Sequence, residues 1–237
     1  MVLGSRMADR VAARGVAADR INVIANWCED DKIHPVFPSE NPLRREWKLE
    51  DKFVIGYSGN LGRAHEFDTV LAAADRLKSN PEIIFLCIGG GHLMKRLAEC
   101  VRERNLGNFR FMDYQDQSTL GLSLCVPDVH WISLLPQVEG LIVPSKIYGI
   151  AAAGRPVIAI CDNDGEIARL VEQYQCGGVV EPGNSDGLTN LILRLSTDST
   201  IRAEMGQHAR AMLDAHFTRH QALERWRALL QRVGEPH

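Results

Sequence analysis

The sequence lacks long apolar runs and an excess of basic residues. Charged residues interrupt every stretch of about 20 residues that would be long enough to span a bilayer, and the first twenty residues hold no secretory apolar core. The 27 basic and 30 acidic side chains give a net charge of -3, whereas binding to a phosphate backbone needs a basic surplus. We therefore expect a cytoplasmic protein that does not bind nucleic acid.

The sequence also lacks the usual signatures of disulfides and metal sites. Its six cysteines are scattered without a C-x-x-C pair, and several lie inside apolar runs such as 83–88 and 157–161, so we expect reduced core residues. His216 and His220 lie four apart on a predicted helix, but the string HFTRH lacks the catalytic glutamate of the zinc-protease motif. The sequence therefore predicts no metal and no cofactor.

The chain from residue 53 onward alternates short apolar runs with longer segments of helical period, a pattern typical of β-α-β units. Runs bounded by Gly, Pro, Asn or Asp predict strands at 53–57, 83–88, 109–112, 129–134, 156–160 and 178–180. The segments between them predict helices at 66–78, 92–105, 118–124, 145–153 and 166–174. We predict an α/β fold, a Rossmann-like, doubly wound parallel sheet of about six strands with helices on both faces.

The two ends of the chain depart from this repeat. Residues 1–48 predict a short helix at 5–14, a lone strand at 21–24 and a loop rich in proline and charge. Helices at 186–195, 201–215 and 222–233 follow residue 183, and the last one carries an apolar stripe that needs a covering surface. We interpret both ends as connections to another domain, with packing inside the same domain as the alternative.

A glycine-rich loop, GYSGNLGR, follows the first predicted strand and precedes a helix. Its glycines let the backbone turn tightly and bring N–H groups close to a ligand, and a helix N-terminus favours anions. Arg63 and His65 offer charge or donors for a diphosphate, whereas Glu66 opposes an anion and is a candidate helix cap. The loop is a candidate phosphate site, with a structural turn as the alternative. The next glycine loop, CIGGGH, is not G-x-G-x-x-G, which argues against a dinucleotide oxidoreductase.

The stretch PQVEGLIVPSKIYGIAAAGRPVIA is the most informative one in the chain. Pro144, Ser145 and Lys146 open a predicted helix whose small residues allow close packing on the sheet, and Gly154 ends it. The start of this helix faces the carboxyl ends of the strands, where α/β sheets bind ligands. Lys146 is therefore expected to meet phosphate, and Glu139 lies on the loop just before.

In their order and spacing, the segments GYSGNLGRAHEFDTVLAAA, FLCIGGGHLMKRL, EGLIVPSKIYGIAAAGRPVIA and GEIARLVEQYQCGGVVEPGN resemble the C-terminal, donor-binding half of GT4-type glycosyltransferases of the GT-B fold. The resemblance covers nearly the whole chain and is strongest to bacterial enzymes that build surface polysaccharides. It implies three parts: residues 1–48 as the end of an N-terminal domain and a hinge, 49–215 as the Rossmann-like domain that binds the nucleotide sugar, and 216–237 as a C-terminal crossover helix.

The resemblance also implies which residues form the site. The glycine loop at Gly59 and the helix start at Ser145 would hold the diphosphate of a nucleotide-diphosphate sugar. Glu139 and Gly140 would approach the transferred sugar, and the nucleobase would lie against the loop 112–115. The catalytic set is Glu139, Arg63 and Lys146. The implied donor-binding residues are Ser58, Gly59, Asn60, His65, Met112, Tyr114, Gln115, Gly140, Leu141, Pro144 and Ser145.

Three positions depart from the family pattern. Asn60 and His65 stand where the family commonly has an arginine and a lysine for the diphosphate. Gly149 stands where a second glutamate would grip the ribose hydroxyls. The charge for the diphosphate is then expected from Arg63 or Lys146, and the ribose contact is absent or is made by another residue.

The resemblance implies retaining sugar transfer, without a metal, to a carbohydrate or lipid-linked acceptor held by an absent N-terminal domain. One alternative is a module that binds the donor without turning it over on its own. Another is a sugar-nucleotide epimerase of the GT-B fold. Peripheral association with the inner face of the membrane is the alternative to a free cytoplasmic location, and the nucleobase, sugar and acceptor stay open.

Overall fold

The computed structural model describes residues 1–234, so the last three residues of the predicted segment 216–237 lie outside the described residues. Six parallel strands form one sheet in the order β3-β2-β1-β4-β5-β6. Their bounds are β1 Phe53–Asn60, β2 Ile83–Gly90, β3 Phe109–Met112, β4 Val129–Ser133, β5 Val157–Ile160 and β6 Gly177–Val180. The strand order reverses between β1 and β4, which confirms the predicted doubly wound sheet and places a switch point beside β1.

Ten α-helices join and flank these strands within residues 1–234. Their bounds are α1 Ser5–Ala12, α2 Pro42–Glu46, α3 Asp68–Arg76, α4 His92–Glu103, α5 Leu120–Leu124, α6 Lys146–Ala152, α7 Glu166–Gln173, α8 Ser185–Thr197, α9 Ser199–His216 and α10 Arg219–Gly234. Short 3-10 helices occupy Ala18–Arg20, Pro38–Glu40 and Pro136–Val138. In the described part of the chain, no helix is both long enough and apolar enough to cross a membrane.

Successive strand residues point to opposite faces of the sheet, so each strand contributes to two hydrophobic cores. On β1, Ile55 and Tyr57 are buried in the core that contains residues of α3, α4 and α8, whereas Val54 is buried on the other face with Leu43 of α2. Residues of α6, α7 and α9 form a third cluster with β4 and β5. This two-sided burial explains why the strands are continuous apolar runs in the sequence.

The predicted strand at 21–24 is wrong. In the structure Val23 forms one isolated parallel bridge with Val2, in which the Ile24 N–H donates to the Val2 carbonyl at 2.9 Å. The chain on the Val2 side enters α1 at Ser5, so the pairing stops after one bridge. The predicted helix before it is confirmed as α1, which is followed by Gly15 in the left-handed region at φ +89°.

A short helix, α2, forms where the sequence predicts only loop. Asn41 accepts a hydrogen bond from the Leu43 N–H at 3.0 Å, and Pro42 occupies the first helical position, which together start the helix. Arg44 is buried and forms an ion pair with Asp128 at 3.2 Å. It also donates to the carbonyls of Leu49 and Val126, so α2 is held at the amino-terminal ends of β1 and β4.

All six cysteines are free thiols, and Cys87, Cys125, Cys161 and Cys176 are buried, as the apolar runs predict. Burial raises the pKa of the Cys87 thiol to about 12, so this side chain stays protonated and acts as a small core residue.

The last helix, α10, contacts the first segment of the chain. The Arg219 N–H donates to the Asp30 carboxylate at 2.9 Å, and Arg232 is hydrogen bonded to the Asn22 side chain. Leu230 is 63% exposed and Val233 is 74% exposed, so the apolar stripe seen in the sequence is largely uncovered in the described residues.

Candidate functional site

A cavity of about 410 Å³ opens at the carboxyl-terminal ends of β1 and β2, beside the point where the strand order reverses. Parallel α/β sheets bind ligands at this edge because the loops after the strands converge there. The structure brings six predicted site residues together in the wall of this cavity. They are Ser58, Gly59, Tyr114, Gln115, Ser145 and Lys146.

The carboxyl-terminal end of β1 is shaped by Gly59, which lies in the left-handed region at φ +112°. A Cβ atom added there would lie 3.2 Å from the Lys146 Cε, so a side chain at this position would disturb both the turn and the start of α6. The Asn60 carbonyl accepts two hydrogen bonds, from the Tyr57 hydroxyl at 2.7 Å and from the Lys146 ammonium at 3.2 Å. These contacts join the glycine loop to the start of α6.

Among residues 1–234, Lys146 has no carboxylate partner. Its ammonium lies 5.2 Å from the centre of the Tyr57 ring, and the ion pairs within residues 1–234 all involve other side chains. Burial lowers the pKa of Lys146 from its ordinary value, because desolvation penalises the charged form. An anion entering the cavity would offset this penalty, and the ammonium has two donors left after its bond to Asn60.

His65 lies next to this centre, although its donor is already engaged. Its Nδ1 donates to the Ser133 carbonyl at 2.6 Å, so in the neutral ring Nε2 is an acceptor. Burial lowers the pKa of His65; its bond to Ser133 opposes this shift, and the Lys146 charge adds to it. A neutral His65 therefore has no N–H left for a phosphate oxygen in this arrangement, and its predicted contact with the diphosphate stays a prediction.

Arg63 lies on the exposed loop between β1 and α3, outside the wall of the cavity. The ion pairs found within residues 1–234 do not include it. A long side chain on a short loop has many rotamers open to it, so the structure leaves the predicted phosphate contact of Arg63 as a prediction.

Glu139 occupies a different place from Lys146. Its Oε1 accepts hydrogen bonds from the N–H groups of Glu166 at 3.0 Å and Gly140 at 3.2 Å, so the carboxylate satisfies a free donor at the start of α7. A Cβ atom on Gly165 would lie 2.7 Å from Oε2, which shows how tightly the group is enclosed. Arg10 of α1 donates to the Glu139 carbonyl at 2.7 Å. The loop 139–142 is thus held between α1 and α7.

The other predicted sugar-side residues flank this loop. Gly140 lies in the left-handed region at φ +72° against the Arg10 side chain. Leu141 is half exposed, and Pro144 is buried just before α6. None of these three lines the cavity that contains Lys146, within the part of the chain that the structure describes.

The loop after β3 divides between two cavities. Tyr114 is 61% exposed, and its ring covers the backbone of the second glycine loop, where Cβ atoms on Gly89 or Gly90 would lie 3.1 Å from ring carbons. Met112 lines a separate cavity of about 500 Å³ beside α4. The predicted nucleobase loop is therefore split, with Tyr114 and Gln115 facing the cavity of Lys146 and Met112 facing away from it.

Sequence reasoning missed the contribution of the first segment. Trp27, Cys28 and Glu29 line the same cavity as Lys146. Hydrogen bonds from Lys32 and Gln117 hold the pKa of the Glu29 carboxyl below its ordinary value. The signal in the sequence is weak, because a charged run in a loop is typical of a solvated surface.

Within residues 1–234, histidine, cysteine and acidic side chains do not come together in groups of three or more that could hold a metal ion.

The family described as "Glycosyl transferases group 1" matches residues 39–212. WcaI of Escherichia coli strain K12, a glycosyl transferase assigned by its name to colanic acid biosynthesis, is 30% identical over 207 residues, which are 85% of this chain and 51% of WcaI. The chain spans about half the length of the curated relatives it matches.

Solved structures share the fold at lower identity. The Anabaena protein HepE, in complex with UDP and glucose, is 17% identical with a TM-score of 0.81, covering 99% of this chain and 62% of HepE. The C-terminal domain of LpcC, a group 1 glycosyl transferase from Francisella tularensis, is 18% identical with a TM-score of 0.65, covering 81% of this chain and 99% of that domain.

Proposed function

The chain belongs to the family of group 1 glycosyl transferases, and from this premise we propose that residues 49–215 bind the nucleotide-diphosphate sugar that donates the transferred sugar. We assign residues 1–48 to the end of an N-terminal domain with its hinge, and residues 216–237 to the crossover helix. The contacts of α10 with Asp30 and Asn22 support this pairing of the two flanks. The acceptor, a carbohydrate or lipid-linked sugar, binds to the N-terminal half of the complete enzyme.

The observation that carries the proposal is the position of Lys146. Its desolvated ammonium lies at the glycine turn of β1, in a cavity at the switch point of the sheet, without a carboxylate partner in the described residues. Such a charge attracts an anion the size of a diphosphate. The structure of HepE, with the same fold, contains UDP and glucose, which supports a nucleotide sugar as the ligand.

The chemistry proposed for this chain is electrostatic. As the bond between the sugar and the diphosphate breaks, negative charge grows on the leaving diphosphate, and Lys146 and Arg63 stabilise that charge without a metal. The transferred sugar lies beside the loop 139–142, which Glu139 holds in place through the start of α7. Transfer proceeds with retention of the anomeric configuration, as in the GT4 type.

The name of one relative supports a proposal for the biological setting. The name of WcaI assigns it to colanic acid biosynthesis, and we propose that this chain likewise serves polysaccharide assembly, in the cytoplasm or at the inner face of the membrane. On its own the chain binds the donor without turnover, because the half that carries the acceptor is needed for transfer.

Isothermal titration calorimetry with UDP, GDP and ADP and their glucose or mannose derivatives tests the proposal. Lys146→Ala is expected to lower the affinity for the tightest-binding ligand by about tenfold or more, since hydrogen bonds to charged groups contribute about 1.5–3 kcal/mol. Arg63→Ala is expected to have a smaller effect, because this side chain is exposed. Lys78→Ala, which removes an exposed lysine paired with Asp75, is the matched control.

Wild-type affinity in both the Lys146 and the Arg63 variants would contradict the assignment. Measurable sugar transfer by the 237-residue chain alone would contradict the separate statement that it does not turn over.

A further inference from the structure

Glu29 lies outside the segment that matches the family, yet it belongs to the wall of the cavity that contains Lys146. Among the described residues that line this cavity, Glu29 is the one carboxylate and Lys146 is the one ammonium. The two charges come from different parts of the chain, Glu29 from the segment before α2 and Lys146 from the start of α6. The cavity therefore offers a carboxylate that accepts hydrogen bonds and an ammonium that donates them to the same ligand.

The Glu29 side chain is 43% exposed, and two hydrogen bonds engage one of its carboxylate oxygens. Its Oε2 accepts hydrogen bonds from the Lys32 ammonium at 2.7 Å and from the Gln117 amide at 2.8 Å. Oε1 accepts none from the residues that the structure describes. Because Gln117 follows the loop that carries Tyr114 and Gln115, its hydrogen bond ties Glu29 to a second segment that lines the cavity.

The parts of a nucleotide diphosphate differ in what they offer to these groups. The diphosphate is an acceptor only and carries negative charge, so Lys146 attracts it and Glu29 repels it. The aromatic side chain of Tyr114 suits a planar base. The ribose, which connects the two, carries adjacent hydroxyls that donate hydrogen bonds, and these are what a carboxylate accepts. Gly149 in the same wall has no side chain to compete for them.

Given the proposed function, on which this step rests, we infer that Glu29 accepts hydrogen bonds from the ribose hydroxyls of the nucleotide donor and thereby selects ribonucleotides over deoxyribonucleotides. Glu29 is a specificity residue supplied by the hinge segment. Gln117 positions it.

The test measures affinities of wild type, Glu29→Gln and Glu29→Ala for the tightest binder among UDP, GDP and ADP and for its 2′-deoxy and 3′-deoxy analogues. In wild type, we expect at least one analogue to bind about tenfold more weakly than the ribonucleotide, as for a lost hydrogen bond to a charged group. In both Glu29 variants the affinity for the ribonucleotide falls by a similar factor. The ratio of the affinities for the ribonucleotide and the analogue then shrinks to about twofold or less. Glu99→Gln, an exposed change of the same charge on α4, is the matched control.

Two further measurements separate the outcomes. Inorganic pyrophosphate, which has no hydroxyl pair, is expected to bind the Glu29 variants at least as well as wild type, and urea unfolding checks that the variants fold. If the ribonucleotide binds wild type and the Glu29 variants keep the full discrimination against the deoxy analogues, the inference is wrong and the proposed function stands. A change confined to preference among bases would also overturn it. If wild type binds no nucleoside diphosphate, the proposed function and the inference fail together.

Discussion

The two edges of the sheet use charged residues in opposite ways. At the amino-terminal edge, Arg44 donates to backbone carbonyls and pairs with Asp128, which in turn accepts from the Val54 N–H at 2.8 Å. At the carboxyl-terminal edge, the contacts of Lys146 with the described residues are one hydrogen bond, to Asn60, and the face of an aromatic ring. At the first edge the charged group is paired within the protein, whereas at the second edge the charged group is available to a ligand.

Loss of contact with water therefore does not by itself distinguish a charged residue with a structural role from one that binds a ligand. Arg44 is buried and Lys146 is half-buried, so both lose part of their contact with water. What distinguishes them is how many of their donors the described residues satisfy. A charge with a full set of partners raises the cost of unfolding, while a charge with few partners raises the affinity for an anion.

The largest effect is expected from Arg44→Met. Removing one partner of a buried ion pair leaves Asp128 desolvated and uncompensated, which costs about 3–5 kcal/mol in the free energy of unfolding. Urea denaturation followed by circular dichroism measures it. Arg45→Met, next to it and 81% exposed, is the control and should change stability by about 0.5 kcal/mol or less. Equal unfolding midpoints for the two variants would show that the buried ion pair of Arg44 does not stabilise the fold.

A second effect concerns His130, a buried side chain at the amino-terminal end of β4. Its Nε2 donates to the Leu124 carbonyl at 2.9 Å, and burial lowers its pKa from 6.5 to about 4. Between these values the unfolded chain binds a proton that the native protein does not, so stability falls as the pH drops from about 6.5 to about 4. At about 1.4 kcal/mol per pH unit, the loss reaches about 3 kcal/mol.

The measurement compares the free energy of unfolding of wild type and His130→Gln across this pH range. The variant places an amide donor near the former Nε2 and should lose the part of the slope due to His130, although its stability at pH 7 is lower. His65 contributes with the same sign, because burial lowers its pKa too, so some slope remains. Identical slopes in both proteins would refute the assignment to His130.

The smallest effect on stability is expected from Gly59→Ala at the carboxyl-terminal edge. The left-handed φ and the contact with Lys146 lower the free energy of unfolding by about 1–2 kcal/mol. The added methyl group also displaces the Lys146 ammonium, which weakens nucleotide binding. Gly107→Ala is the matched control, since a Cβ there meets no atom within 4 Å. Calorimetry should show weaker binding in Gly59→Ala alone. Retained affinity in that variant would mean that the turn does not position Lys146.

Much of the fold was predictable because parallel strands covered on both faces are continuous apolar runs. Beyond those runs, β1 and β2 continue as far as Asn60 and Gly90, which pair with each other although Gly59 and Gly89 precede them. Glycine-rich sequence does not indicate a strand by itself, so these extensions were not predictable. The lone strand at 21–24 failed because an apolar run predicts burial but does not supply a pairing partner.

The site was predictable only where chain topology decides it. Gly59 and Lys146 both follow predicted strands of one parallel sheet, so they were expected at the same edge. In the structure Gly59 lies near the end of β1, and Lys146 is hydrogen bonded to the next residue, Asn60. The hydrogen bond that places Glu139 at the start of α7 joins residues 27 positions apart in the sequence, and the Glu29–Gln117 hydrogen bond joins residues 88 positions apart. Contacts of this kind depend on how loops fold back, which hydrophobic periodicity does not encode.

The Asn60 carbonyl, which accepts from both Tyr57 and Lys146, has a consequence for the reorganisation energy of ligand binding. When Lys146 turns toward an anion, the carbonyl keeps the hydrogen bond from the Tyr57 hydroxyl and is not left unsatisfied. The shared acceptor lets the ammonium change partners while the loop keeps its shape, so most of the attraction between charge and ligand is retained as affinity.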